Sequence, residues 1–330
     1  MTDAAPSPVE LNVSIVNYRT AEMTLRCVET LRAGLGDVDA HVTIVDNASG
    51  DGSVERLEAG VAALPPGAPV SLVASPRNGG FSAGHNLGIG ARAARFHLVL
   101  NSDALVRPGA ARTLIDAMEA DPGLGLAAPR LEWEDGAPQI SCFRLPSPAS
   151  ELIRGAATGP VTRLLARHDV PMSPDPDPAE IGWVSFACVL LRDAAIREVG
   201  PMDEGFFLYA EDTEYCARLT RAGWRLAYLP EARVAHLRGG SAPVKALAAE
   251  RRRLPAYWYA SRTRLMRLLH GRAGPLAANL AWHLGRGLAR LRVLAGKPVP
   301  PAVAHEARDL WINVLDPLGD PRAPAPARER

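Results

Sequence analysis

Residues 96–106 read FHLVLNSDALV, and the interpretation of this stretch decides the fold. His97-Leu98-Val99-Leu100 is an apolar run with the length and composition of a strand buried on both faces. It stops at the polar Asn101-Ser102-Asp103, and Pro108 soon afterwards suits the first turn of a helix. A strand covered on both faces belongs to an α/β sheet flanked by helices. In open sheets of that class, ligands bind in the crevice beyond the carboxyl ends of the strands. Asp103 therefore stands where a carboxylate could meet a metal ion or a charged ligand, or could simply cap the following turn.

Working outward, Val13 to Val16, Val42 to Val45 and Val70 to Ala74 read as three earlier strands. The first is followed by a helix with Met23, Cys27, Val28 and Leu31 on one face. The second ends in the turn-rich Asp46 to Ser53, with Ser53 as a plausible N-cap. The third leads through Arg77-Asn78-Gly79-Gly80-Phe81 into a helix expected to reach about Arg95. Four strands alternating with helices predict a parallel, Rossmann-like sheet with right-handed crossovers. Asn17, Asp46 and Asp103 then end three strands on one edge and should face one crevice. The Gly79 to Gly84 stretch is not GxGxxG and follows the third strand, so it is a poor dinucleotide fingerprint. Its glycines suit a tight turn and close helix packing, while Asn78 and Asn86 offer amides to a base or ribose.

After Pro129 the alternation breaks. Leu131 to Gly136 suggests a hairpin, with Gln139 to Phe143 returning. Residues 145–180 are Pro-rich and are expected to form a mobile loop that orders over a ligand. Gly182 to Leu191 reads as a further buried strand. Glu211, Asp212 and Glu214 open a helix whose Tyr215, Leu219 and Ala222 form its apolar face and whose end is Gly223. Three acids in a first turn suit the helix dipole, but the aromatic Phe206-Phe207-Leu208-Tyr209 just before them suggests a pocket wall. Arg225 to Leu229 and Arg233 to Ala235 read as two short strands joined at Pro230, with His236 where the second ends.

The chain of 330 residues has 47% hydrophobic residues and a net charge of +1, which gives no general field for nucleic acid. The charge is unevenly placed. Residues 1–243 hold 21 Lys or Arg against 30 Asp or Glu, whereas residues 244–297 hold 12 against one. Cys27, Cys142, Cys188 and Cys216 lack CxxC spacing and read as reduced core residues of a cytoplasmic protein. No signal peptide and no membrane span is evident, so a soluble or peripheral protein is expected. From Leu276 to Leu294 the pattern is helical, with Leu280, Leu284, Leu288 and Leu291 on one stripe and Asn279, His283, Arg286 and Arg290 on another. Residues 251–297 are expected either to pack with a solvated basic face or to rest that face and its aromatics on an anionic membrane surface.

Six blocks carry a family resemblance: VSIVNYRT from Val13, IVDNASGDGS from Ile44, NGGFSAGHNLG from Asn78, LNSDALV from Leu100, FFLYAEDTEYCARLTRAGW from Phe206 and ARVAHLRGGS from Ala232. Together they resemble family 2 glycosyltransferases, and within these the bacterial rhamnosyltransferase-like group. The resemblance implies an α/β fold of GT-A type, a Rossmann-like mixed sheet flanked by helices, with a C-terminal helical extension. Residues 1–10 would be a flexible tail. Residues 11–243 would form the catalytic domain, 11–130 binding the nucleotide-sugar and 131–243 the acceptor, and 244–330 a basic helical extension with a disordered end.

The resemblance also implies roles. Asp46 would accept the N3–H of a pyrimidine, and Asn17, Tyr18, Asn78, Gly80 and Asn86 would line base and ribose. Asp103 would be the last acid of a DxD-type metal motif whose first position here is Asn101, and His236 the distal metal ligand. The cofactor would be Mg²⁺ or Mn²⁺. Asp212 would be the catalytic base, with Glu211 orienting it or touching the acceptor beside Trp183 and Phe207. The implied activity is inverting transfer, from dTDP-L-rhamnose or alternatively a UDP-sugar such as UDP-galactofuranose. The acceptor would be a cell-surface polysaccharide or lipid-linked glycan at the inner membrane face. A sugar nucleotidyltransferase would need a Gly-rich basic loop after the first strand, which Asn17-Tyr18-Arg19-Thr20 is not. A non-catalytic glycan-binding module remains a distinct alternative.

Overall fold

The computed structural model describes residues 7–238 and 243–324. The extreme tails and Gly239 to Ser241 of the last sequence block lie outside the described residues. The first half alternates as expected: β1 (Val9–Asn17), α1 (Ala21–Gly34), β2 (Ala40–Asp46), α2 (Ser53–Ala62), β3 (Val70–Ala74), α3 (Gly80–Gly90) and β4 (Ala94–Asn101). These four strands are parallel in the order β3-β2-β1-β4. Some boundaries differ. Arg95 lies in β4, because α3 stops at Gly90. Ser53 is the first helical residue of α2, and the N-cap is Gly52 in the left-handed region.

FHLVLNSDALV is two strands, not one. β4 ends at Asn101, the chain turns at Ser102-Asp103, and β5 (Ala104–Val106) follows. Pro108 precedes the next helix, α4 (Ala110–Ala120), whose N-cap is Gly109. β6 (Leu124–Glu132) then runs into the expected turn, closed by Trp133 N–H on Ala137 and Gln139 N–H on Leu131. The return is brief, ending in β7 (Cys142–Phe143).

Residues 145–180 depart from the expected mobile loop. Ser147 caps α5 (Pro148–Ala156) in a reciprocal capping box with Ser150, and Pro148 occupies the first turn, where its missing N–H is harmless. A short α6 (Gly159–Leu164) follows. The run from Gly182 to Leu191 divides into β8 (Trp183–Val184), which pairs with β7, and β9 (Cys188–Arg192). After α7 (Asp193–Val199) and α8 (Glu211–Arg221) comes β10 (Arg225–His236), a single strand. Its register slips between Leu229 and Arg233, so Pro230 is absorbed by an irregularity instead of ending the strand.

The full sheet has the order β3-β2-β1-β4-β9-β6-β10-β5 and is mixed, because β9 and β5 run antiparallel to their neighbours. Successive residues of β4 serve opposite cores. Leu98 and Leu100 join Leu11, Val13, Leu31 and Leu114 on one side, while Val99 joins Leu191, Tyr215 and Leu219 on the other. All four cysteines are free and buried.

A third core joins the C-terminal segment to the rest. Phe207 packs with Leu254, Tyr257, Tyr259, Trp282 and Leu310. These lie on or beside α9 (Val244–Ala249), α10 (Ala256–His270), α11 (Gly274–Arg290) and α12 (Glu306–Asp309). Residues 244–324 are thus docked elements. Of the aromatics Tyr257-Trp258-Tyr259 expected on a membrane-facing surface, the two tyrosines are buried and Trp258 is half-buried. The leucine stripe is reversed as well: Leu276, Leu280 and Leu284 are exposed, and Asn279 and Trp282 face the protein.

Candidate active site

Strand register builds the crevice. Asn17 pairs with Asp46 and Val16 with Asn101, so β1, β2 and β4 end level at one sheet edge. On the far side β10 pairs with β5, setting His236 opposite Ala104, and Leu237 N–H bonds the Asp103 carbonyl at 2.9 Å. That pairing brings two residues 133 positions apart into contact: His236 Nε2 lies 3.3 Å from Asp103 Oδ1. Both are buried, and His236 Nδ1 has no hydrogen-bond partner.

The cavity at this edge is about 580 Å³. Tyr18, Asn78, Gly80, Asn101, Asp103, Phe207, Glu211, Asp212 and His236 all line it. Four expected site residues do not. Asn17 and Asp46 form a buried knot: Asn17 Nδ2 donates to Asp46 Oδ1 at 2.7 Å, and Ser49 donates both its N–H and its hydroxyl to Asp46. Asn17 Oδ1 accepts in turn from Thr20 and Thr24. Held in this way, these two residues fix the loops that carry Tyr18 and Asn47. Asn86 ties α3 to the segment before α8 through Met202 and Glu204. Trp183 stacks on Phe143 at 4.1 Å and donates to the Arg144 carbonyl.

Other lining residues escaped the sequence reading. Asn47 is next to the expected Asp46 and bonds Asn78 and the Gly80 carbonyl. His85 is fully buried, bonded to Ser14 at 2.9 Å, and held neutral by burial, which lowers its pKa to about 3. Arg238 and Lys245 bring cations to the wall that carries Asp103, and burial lowers the pKa of each. Arg238 lies within the ARVAHLRGGS block, which is its available signal; Lys245 begins the basic segment 244–297.

The acid pair is held in an unusual local geometry. Tyr209 and Ala210 both have φ of 72° immediately before α8, a left-handed pair of non-glycine residues. Phe81 N–H bonds the Phe207 carbonyl at 2.9 Å. A Cβ on Gly80 would lie 1.8 Å from that same oxygen, so only glycine permits the approach. Ser261 donates to the Leu208 carbonyl, and Arg264 clamps Asp203 through two bonds of 2.8 and 2.9 Å. The acids therefore sit on a segment held from both α3 and α10.

No cation neutralises them among the ion pairs of the described residues. Burial raises the Asp212 pKa to about 6, against hydrogen bonds from the Thr213 N–H and hydroxyl. Burial and then the charge of Asp212 push Glu211 well above the usual carboxylate range, and Glu211 Oε2 has no partner. A carboxylate with a pKa near neutrality is suited to accept a proton.

Asp103 and His236 could hold a divalent cation from one side. Among the described residues no group of three or more His, Cys, Asp or Glu could do so. The remaining coordination positions would fall to water and to anionic ligand oxygens, as hard cations of the Mg²⁺ type accept. The mixed carboxylate–imidazole donor set fits such an ion.

The sequence model described as "Glycosyltransferase like family 2" matches residues 8–257. An N-acetylglucosaminyl-diphospho-decaprenol L-rhamnosyltransferase of Mycobacterium tuberculosis is 35% identical over 162 residues, 46% of this chain and 51% of that protein. A pre-mycofactocin glycosyltransferase of the same organism is 30% identical over 51% of this chain and 32% of its own length. The chain thus spans about half or less of the length of these curated relatives. A mannosyltransferase from Pyrobaculum calidifontis, solved with GDP-Man and Mn²⁺, superposes with a TM-score of 0.53 at 16% identity over 96% of this chain and 84% of its own. GalNAc-T7, solved with UDP, GalNAc and Mn²⁺, gives 0.52 at 16% identity over 90% of this chain and 59% of its own. The fold is therefore of the GT-A type.

Proposed function

The chain belongs to glycosyltransferase family 2, and from that premise we propose that it is an inverting glycosyltransferase. The donor would be dTDP-L-rhamnose and the acceptor a hydroxyl of a cell-surface polysaccharide or lipid-linked glycan. The observation that carries the activity is the un-neutralised Asp212 in the crevice that also holds the Asp103–His236 pair. The named activity of the rhamnosyltransferase relative supports the donor and the lipid-linked acceptor.

In this reading the acceptor hydroxyl oxygen attacks the anomeric carbon while Asp212 takes its proton. The bond from that carbon to the diphosphate oxygen breaks, and the diphosphate leaves with the electron pair. One face of the sugar is attacked as the other is released, so the anomeric configuration inverts. Glu211 stays protonated beside Asp212 and orients it or the acceptor. Asp103 and His236 would hold Mg²⁺ or Mn²⁺, which when bound neutralises diphosphate charge. Arg238 and Lys245 would add positive charge on the same wall, which suits a motif with Asn101 in place of a second carboxylate. Tyr18, Asn47 and Asn78 would line the nucleoside, with Asn17 and Asp46 holding their loops.

A thermal-shift comparison of dTDP-, UDP- and GDP-sugars with Mn²⁺ tests the donor, since a ligand of the native state raises apparent stability. The largest rise is expected with dTDP-L-rhamnose. A larger rise with UDP-galactofuranose would move the assignment to that donor. Full transfer activity after EDTA treatment would overturn the Asp103–His236 metal site.

A further inference from the structure

α11 carries its leucines on the outside. Leu276, Leu280, Leu284, Leu288 and Leu291 are 47%, 55%, 57%, 36% and 57% exposed. At 3.6 residues per turn they fall within an arc of about 120°. The opposite face is already used: Ala278, Asn279, Trp282, Gly285 and Ala289 are buried. Gly285 lets α5 approach so closely that a Cβ there would lie 2.4 Å from the Leu152 carbonyl. The leucine face is therefore the face the fold leaves over, and it cannot be satisfied by rotating the helix. Trp311, 42% exposed, stacks on His283 at 6.0 Å and so lies alongside the stripe.

Charge discriminates between occupants. Residues 251–297 contain eleven Lys or Arg and no Asp or Glu. Several of these cations are consumed internally: Arg262 pairs with Glu151, Arg264 with Asp203 and Arg253 with Asp309. Arg272, Arg290 and Lys297, around the two ends of the stripe, are exposed and have no ion pair among the described residues. A second copy docked face to face about a two-fold axis would set like charges of this segment near one another. An anionic bilayer surface instead offers headgroup charge to the arginines and hydrocarbon to the leucines, with the tryptophan at the boundary.

We propose that α11 is an interfacial anchor, lying in the surface of an anionic membrane with its leucine stripe inserted among the acyl chains. This goes beyond the transfer reaction and does not rest on the identity of the sugar. It also differs from a purely electrostatic contact, because apolar insertion does the holding and the cations select the lipid.

Flotation of the full chain with phosphatidylglycerol-containing and with pure phosphatidylcholine vesicles tests it. Binding to the anionic vesicles is expected, with at least about a tenfold loss for Leu280→Ser/Leu284→Ser, as removal of buried apolar area at an interface requires. Because these side chains are exposed, the variant should keep the wild-type melting temperature. The four native cysteines are buried, so a fluorophore on Leu284→Cys reports locally. Its emission should shift to the blue on anionic vesicles, whereas one on Glu58→Cys of α2 should not. Wild-type protein that ignores both vesicle types, or a leucine variant that binds as well as wild type, would overturn the proposal. So would a concentration-dependent dimer that the leucine variant abolishes without any vesicle binding.

Discussion

Two pairs of acids in this molecule have similar raw material and opposite outcomes: Glu151, Glu306 and Glu211 are buried and Asp212 is half-buried. Glu151 and Glu306 lie where α5, α10 and α12 meet, and Glu211 and Asp212 open α8. Burial pushes every buried carboxyl upward. At Glu151 the guanidinium groups of Arg154 and Arg262 outweigh it and carry the pKa down to about 2. Arg154 also bonds Glu306 and lies over the rings of Trp258 and Trp282. At Asp212 no cation answers among the described ion pairs, and the pKa stays raised at about 6. The first cluster is neutralised and joins helices. The second lines a crevice with its pKa raised, which is what the proposed base requires.

The comparison is most sharply tested by removing one acid from each cluster. Asp212→Asn should reduce the transfer rate by ~10²–10⁴-fold, the usual contribution of a general base. Its melting temperature at neutral pH should be unchanged or higher, since a partly desolvated charge with no ion pair among the described residues is lost. Undiminished transfer would refute the assignment of Asp212 as the base. Glu151→Ala should do the reverse. It leaves the buried Arg262 without its carboxylate, while Arg154 keeps Glu306, and should cost about 3–5 kcal/mol of stability by denaturant unfolding, while the rate per folded molecule changes little.

Gly80→Ala should fall between the two. Its φ of 84° and the Phe207 carbonyl in its way demand a shift of the loop that carries the acids. Loss of activity should exceed loss of stability, read as a lower kcat at a modestly lower melting temperature.

The pH response is the subtlest test, and its signs differ between the clusters. Glu151 contributes stability above its unfolded value near 4.5, and this is lost as pH falls toward about 2. Asp212 binds its proton more tightly in the folded state than in the unfolded one. Its term therefore favours folding at low pH and is lost as pH rises through about 6. Transfer should increase over that same range as Asp212 deprotonates. Melting curves of Glu151→Gln and Asp212→Asn against pH should diverge from wild type in these separate windows.

Much of the first half is legible because strands buried on both faces must be continuous apolar runs, as β1, β2 and β4 are, and the half-exposed edge strand β3 is apolar enough to follow the same pattern. Legibility weakened where local and tertiary signals conflict. The proline content of residues 145–180 suggested a loop, yet Ser147-Pro148-Ala149-Ser150 is a helix start readable from its capping residues. Asp46 was located on the right edge but not its engagement with Asn17 and Ser49, since a hydrogen-bond partner is a fact of three dimensions. The residue that reaches the crevice is its neighbour, Asn47.

By itself, the sequence determined the family, the alternation of the first four strands with helices and the chemical types at the strand ends. Those follow from periodicity, turn chemistry and six motif blocks, all local properties. Only the tertiary structure decided which polar groups are already spent and which remain to act. Antiparallel pairing of β10 with β5 put His236 against Asp103, and the absence of a nearby cation among the described ion pairs left Asp212 raised. The leucines of α11 make the same point at the surface. Their spacing defines a stripe, but only the packing of α5 on the other face determines that the stripe points outward.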